Sequence, residues 1–206
     1  MKKIVLIGDI VNSKSISQRG KIQLQLNSIF KKINEDKLLL SPYTITLGDE
    51  FQAVYSKADS IFNHIWQISL AVHPLKIRFS VGAGDITTKI NKKQAIGMDG
   101  PAFYNARNGL NELKESGFLF IINSDELTSK EIIKQSLFLI SHLISGWKKS
   151  RLNILVLLNE SYNIGEIAKI LKITDKAVYK NIDAGALKII TDLTKEITGN
   201  LNQSLK

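Results

Sequence analysis

Two apolar segments near the start of the chain each finish on Gly-Asp, and their placement fixes most of what the chain can fold into. KIVLIG, residues 3–8, is a short apolar run rich in branched side chains, the pattern of a buried central strand, and it stops on Asp9. SPYTITLGDEFQAVYS, residues 41–56, reads as strand, tight turn and strand, with Gly48-Asp49-Glu50 at the tip. Between them, from Arg19 to about Asp36, Ile22, Leu26, Ile29, Phe30 and Ile33 recur at three- and four-residue steps, an amphipathic helix. One helix between two strands makes a right-handed crossover, so strands one and two are expected to be parallel. Strand three then lies between them, antiparallel to both. The hairpin tip reaches the edge where strand one ends, and Asp9 and Asp49 converge by topology alone.

The rest of the chain continues the alternation. Residues 57–72 carry helical periodicity, 75–86 (LKIRFSVGAGDI) read as a strand, 100–116 begin Gly-Pro and read as a helix, and 117–123 (GFLFIIN) read as a fifth strand. The order β-α-β-β-α-β, then α-β, predicts an α/β (α+β) fold of ferredoxin-like or palm type. Residues 1–126 form this unit, 127–147 a linking helix, and 148–206 a small all-α unit expected to hold three short helices.

Paired carboxylates repel unless a cation, a proton or a basic side chain offsets them. Asp9 and Asp49 are therefore candidate ligands for Mg²⁺ or Mn²⁺, which take carboxylates together with the oxygens of a bound phosphate. If the pair is strained without metal, Asp9→Asn and Asp49→Asn should each slightly stabilise the protein. The competing reading makes Asp9 a polar cap and Gly48-Asp49 a plain turn. Lys14 and Arg19, beside the first loop, are candidates for cradling phosphate or are solvated surface charges.

Charge points the same way. The net charge is +9 and the pI about 9.6, and residues 146–206 carry 10 Lys/Arg against 6 Asp/Glu. A basic surface suits nucleic acid, nucleotides or another polyanion. The absence of cysteine excludes disulfides, thiolate metal sites and a cysteine nucleophile, and fits a reducing cytoplasm. The N-terminal apolar run is too short for a signal segment, and no window suits a membrane span. The expected location is cytoplasmic. His64, His73 and His142 have no metal-ligand spacing, and Trp66 and Trp147 read as packing residues.

GDIVNSK, Arg19, ITLGDEFQAVY, IRFSVGAGDITT and DGPAFYNAR, in that order and before a helix-turn-helix-like tail, resemble the SatD family over nearly the whole chain. That resemblance implies a cytoplasmic protein and no particular reaction. The first 125 residues also resemble class III nucleotidyl cyclase domains. The resemblance implies metal ligation by Asp9 and Asp49, phosphate binding at Ile10, Asn12, Ser13 and Lys14 in the first loop, a transition-state role for Arg107, and a head-to-tail homodimer. Two cyclase landmarks are replaced. Phe103 stands where the family has an asparagine and Ile45 where it has a purine-selecting lysine. GDEF resembles the diguanylate cyclase signature only in those four letters, with Leu47 in place of the first glycine.

EIAKILKITDKAVYKNI resembles the helix-turn-helix of sigma-factor-like and response-regulator-like domains. Ala168 falls at the helix crossing, Ile167, Leu171 and Val178 face inward, and Thr174 caps the second helix. Lys176, Tyr179, Lys180 and Asn181 remain for duplex DNA, helped by the basic joint Lys148-Lys149-Arg151. Lys172 stands at the usual turn glycine. The competing reading is a helical packing or dimerisation tail. The expectation drawn from all of this is a DNA-binding regulator that senses a nucleotide, polyphosphate or other anion, acting as a homodimer. The alternative is a divergent nucleotidyl cyclase or nucleotidyltransferase using Asp9 and Asp49 with a metal.

Overall fold

The computed structural model describes residues 2–16 and 18–205. Strand β1 (Lys3–Ile10) is followed by a 3₁₀ turn at Ser13–Ser15, helix α1 (Arg19–Ile33), the hairpin β2 (Leu39–Leu47) and β3 (Glu50–Tyr55), and helix α2 (Ile61–Val72). Strand β4 (Ile77–Gly84), helix α3 (Pro101–Ser116) and strand β5 (Phe120–Asn123) complete the sheet. Helices α4 (Lys130–Ile144), α5 (Lys149–Asn159), α6 (Ile164–Leu171), α7 (Asp175–Ala184) and α8 (Leu187–Gln203) follow. The result is a mixed α/β fold with one five-stranded sheet in the order β2-β3-β1-β4-β5. Strand β3 lies between β2 and β1, antiparallel to both, as the crossover argument requires. Strand β4 lies antiparallel to β1 on its other side, and β5 runs parallel to β4.

Alternation in β1 sends Ile4, Leu6 and Ile10 to one face of the sheet and Val5, Ile7 and Asp9 to the other. The first face holds the larger core, with Phe51, Phe79, Phe120, Trp66 and the inward sides of α1, α2 and α4. The second face is covered by α3 through Ala102, Phe103, Ala106 and Leu110. Small residues bring α3 very close: a Cβ built on Gly82 of β4 would stand 2.2 Å from the Ala102 carbonyl oxygen and 2.2 Å from the Ala106 nitrogen. Ser80 of the same strand donates from its hydroxyl to the Ala106 carbonyl at 2.6 Å. The position of α3 relative to β4 and β1 is therefore set by backbone approach, which leaves little room for sliding. The segment 85–100 runs over β2 and β3 on this face, held where Ser41 donates to the Asn91 carbonyl, Thr44 accepts from the Ala95 amide, and Gln52 donates to the Ala95 carbonyl.

The tail has four helices where the sequence suggested three, because the chain turns at Gly185-Ala186, with Ala186 left-handed at φ 50°. Helix α8 repeats Leu187, Ile190, Thr194, Ile197 and Leu201 on its inner side. The tail is docked on the sheet unit, and its buried residues continue the larger core. Gln67 of α2 donates to Glu160 at 2.9 Å, and Asn202 accepts from the Ala58 amide at 2.7 Å while donating to Asp59 at 2.9 Å. No helix among the described residues is long and apolar enough to cross a membrane.

A polar chain runs through the main core. The Tyr43 and Tyr55 hydroxyls share a hydrogen bond, Tyr55 meets His64 Nδ1 at 2.7 Å, and His64 Nε2 faces Asp36 at 3.4 Å. With its proton on Nε2 toward Asp36, His64 accepts from Tyr55 through Nδ1. Burial lowers the His64 pKa to about 4, against the opposing pull of Asp36. The unfolded chain therefore takes up this proton more readily than the folded one. The stability tied to His64 is whole above about pH 6.5 and is lost as pH falls toward 4. Urea denaturation at pH 7 and pH 5 should show wild type losing about 2 kcal/mol more than His64→Gln. Equal losses would contradict a neutral buried His64.

Candidate functional site: an ionic cleft at the end of strand one

The end of β1 carries Asp9 on the α3 side of the sheet. Its cross-strand partners are Glu50 on β3 and Arg78 on β4, and directly opposed residues of an antiparallel pair point to the same face. Helix α3 passes over that face and presents Arg107 and Lys114, seven residues apart and so on one side of the helix. Two carboxylates and three cations meet there. Arg78 Nη1 donates to Asp9 Oδ2 at 3.1 Å, and Lys114 Nζ stands 3.6 Å from Asp9 Oδ1. Arg78 Nε donates to the Leu113 carbonyl at 3.2 Å, which holds the guanidinium between strand and helix. Arg107 makes a two-point pair with Glu50 at 2.6 and 2.7 Å. Hydrogen bonding to Glu50 raises the Arg107 pKa further above its ordinary range.

Asp9 and Glu50 are both buried, with 7% and 6% of their surfaces exposed, so neither carboxylate relies on water for its counter-charge. Asp9 and Glu50 are each met by basic side chains of the same chain. Removing the Asp9 charge is therefore expected to leave Arg78 without its carboxylate partner.

Beyond this cluster lies an open cleft of about 510 Å³ lined by Asp9, Ile10, Asn12, Ser13, Lys14, Asp49, Arg78 and Lys114. Topology thus brings Asp9 and Asp49 to one place, joined by the Ile10 amide donating to the Asp49 carbonyl at 3.3 Å. Asn12 takes the left-handed conformation, φ 55°, that turns the chain into the Ser13–Ser15 turn. The Ile10 and Val11 amides are engaged with Asp49 and Lys76 carbonyls, so Ile10 contributes wall more than donor. Arg19 is outside the lining and donates to the Ser13 carbonyl at 3.2 Å, bracing the turn from behind. Arg107 is also outside it, held by Glu50.

Sequence reasoning missed Glu50, Arg78 and Lys114 as site residues. Glu50 adjoins Asp49 in the quoted hairpin, and the register of an antiparallel pair would have placed it opposite Asp9. Among the described residues, no group of three or more His, Cys, Asp or Glu side chains is arranged to hold a metal ion. As a donor set for Mg²⁺ or Mn²⁺, the cleft offers Asp49 and an Asp9 whose two oxygens already face cations.

In the tail, Ile167 is fully buried and Ala168 is buried beside it on α6. Lys172 closes α6 in the left-handed conformation, φ 54°, where the resembled motif has glycine. The Thr174 hydroxyl accepts from the Ala177 amide at 3.2 Å and caps α7. Val178 and Ile182 face inward, and Lys176, Tyr179 and Lys180 are exposed. Asn181, expected on the open face, is half-buried, and its amide donates back to the Ala177 carbonyl at 2.9 Å. Arg151 of the basic joint lies over the Trp147 ring at 5.8 Å, while Lys148 and Lys149 are exposed. His73 bonds the Trp147 carbonyl at 3.1 Å, and His142 is exposed.

The SatD family model matches residues 3–201. The chain belongs to the SatD family. Among curated proteins this SatD-family chain finds no match. Among solved structures it is similar to cyclase domains. One is the catalytic core of a rhodopsin–guanylyl cyclase with converted specificity in complex with ATPαS, at 18% identity and TM-score 0.38, covering 52% of this chain and 70% of that one. Another is a bacterial light-regulated adenylyl cyclase, at 15% identity and TM-score 0.42, covering 59% and 43%. A third is the non-canonical dimeric guanylyl cyclase domain of the RhoGC fusion protein from the aquatic fungus Blastocladiella emersonii, at 17% identity and TM-score 0.38, covering 52% and 71%. What those enzymes bind and make remains theirs.

Proposed function

We propose that this SatD-family chain is a DNA-binding regulatory protein whose ionic cleft senses a nucleotide, polyphosphate or related anion. The observation that carries the DNA half is the outward face of α7, where Lys176, Tyr179 and Lys180 stand exposed on a capped helix beside a tight left-handed turn. Lysines in this position suit phosphates and a tyrosine suits base edges. Two half-sites read by a homodimer would raise affinity through the linkage of the two contacts. The cleft supports the sensing half: Lys14, Arg78 and Lys114 outnumber Asp9 and Asp49 around it.

The full chain titrated into random and genomic duplex fragments tests the DNA half. Wild type is expected to bind, and Ala168→Leu to lose binding, because added methylenes at the buried Ala168 overpack the motif by about 1–3 kcal/mol. Binding unchanged in Ala168→Leu would contradict the motif geometry. A second reading, a divergent nucleotidyl cyclase or nucleotidyltransferase using Mg²⁺ or Mn²⁺, is favoured by Asp9 and Asp49 lining one cleft. Incubation with each nucleoside triphosphate and Mn²⁺, with products resolved chromatographically, decides between them. A discrete product absent from Asp9→Asn and Asp49→Asn would establish the enzyme.

A further inference from the structure

The cations that meet Asp9 have a consequence for what the cleft recognises. Both Asp9 oxygens face side-chain cations, Arg78 at 3.1 Å and Lys114 at 3.6 Å. A divalent metal on that carboxylate would sit about 2.0–2.1 Å from an oxygen, close against the guanidinium or the ammonium, and it would have to displace one of them. The two cations differ in freedom. Arg78 is largely buried, with 15% of its side chain exposed, and is fixed by Leu113 as well as Asp9. Lys114 is 43% exposed at the mouth of the cleft, on a helix whose distance from the sheet is set by Gly82. An ammonium has three N–H donors, so Lys114 can face Asp9 with one and an incoming anion with the others. Lys14 lines the same cleft from the 3₁₀ turn, together with Ser13.

We propose that the cleft binds a polyphosphate directly on Lys114 and Lys14, without a bridging divalent cation, and that Asp9 is a positioning residue that holds Lys114 against the buried Arg78. The inference rests on the anion-sensing reading above and gives it a recognition chemistry: a multiply charged phosphate chain met by ammonium groups instead of by metal.

Calorimetric titration of the full chain with inorganic triphosphate, in EDTA and then in excess Mg²⁺, tests it. Wild type is expected to bind in EDTA, and Mg²⁺ to weaken binding by taking up the ligand's charge. Lys114→Gln should weaken binding in EDTA roughly ten- to a hundredfold, the scale of one charge-assisted hydrogen bond. Lys31→Gln, an exposed lysine of α1 outside the cleft, should bind as wild type does. Thermal melting checks that Lys114→Gln remains folded. Binding that requires Mg²⁺ or Mn²⁺ and survives in Lys114→Gln would overturn this inference while leaving anion sensing intact. Triphosphate bound under neither condition would overturn both.

Discussion

Asp9→Asn is expected to destabilise the protein by about 3 kcal/mol, the loss typical of breaking a buried ion pair from one side. At this chain length that corresponds to a melting temperature lower by roughly 6–12 °C. Arg78 is the reason. Its guanidinium is packed between β4 and α3 and keeps only the Leu113 carbonyl once the carboxylate is gone. Asparagine can still accept one hydrogen bond, so the fold should survive. The comparison is Asp49→Asn. The Asp49 side chain is half-exposed and has no ion-pair partner among the described residues, so a change within about 0.5 kcal/mol is expected. Differential scanning calorimetry of the three proteins without divalent cations checks both values. Equal melting temperatures for wild type and Asp9→Asn would show that Arg78 and Asp9 do not depend on each other.

Gly82→Ala should be at least as damaging, by about 3 kcal/mol or more, although it adds one methyl group. The new Cβ would overlap the Ala102 carbonyl oxygen and the Ala106 nitrogen, both backbone atoms of α3. No rotamer change relieves such a clash, so the helix must lift from the sheet or the strand must bend. Lifting α3 also moves Lys114 and Arg107 away from Asp9 and Glu50. The mutant should therefore combine lower stability in urea with weakened triphosphate binding. Gly20→Ala is the control, because its added Cβ meets nothing within 4 Å and the position is in the first turn of α1. A Gly82→Ala protein as stable as wild type would mean that the close approach of α3 is not what fixes the cleft.

The strand arrangement that brings Asp9 and Asp49 to one cleft is legible because topology alone carries it. A strand ending on Asp9, one crossover helix and a Gly-Asp hairpin leave few ways to arrange three strands, and the observed order β2-β3-β1 is the one expected. The neutralising partners were harder to see. Arg78 becomes a partner of Asp9 only because β4 lies antiparallel to β1 in the register that sets Arg78 opposite Asp9. Lys114 depends on how closely α3 seats on Gly82. Neither that register nor the height of α3 is visible in the sequence, so these two cations are not either.

Arg107 illustrates the same limit. Its place in a familiar motif suggests a role in the cleft, whereas Glu50 of the hairpin tip binds it at two points. In the tail, the inward placement of Ala168 and Val178 follows from the resemblance to a helix-turn-helix, and both residues are buried. The break at Gly185-Ala186 was not legible, because neither residue interrupts the apolar periodicity around it. Asn181 was assigned to the open face, yet its side chain satisfies its own helix, a common competitor for short polar groups.

The most direct test of the regulatory account is fluorescence anisotropy of labelled duplex DNA with the full chain at several salt concentrations. Wild type is compared with a Lys176→Ala/Lys180→Ala double variant. The account predicts that wild-type affinity falls steeply with salt, because phosphate contacts dominate. Each lysine removed should lower the slope of log affinity against log salt by about one, so the double variant should differ by about two and bind more weakly throughout. An identical slope and affinity in the double variant, or no wild-type binding even at the lowest salt, would contradict it and leave α7 as a packing element.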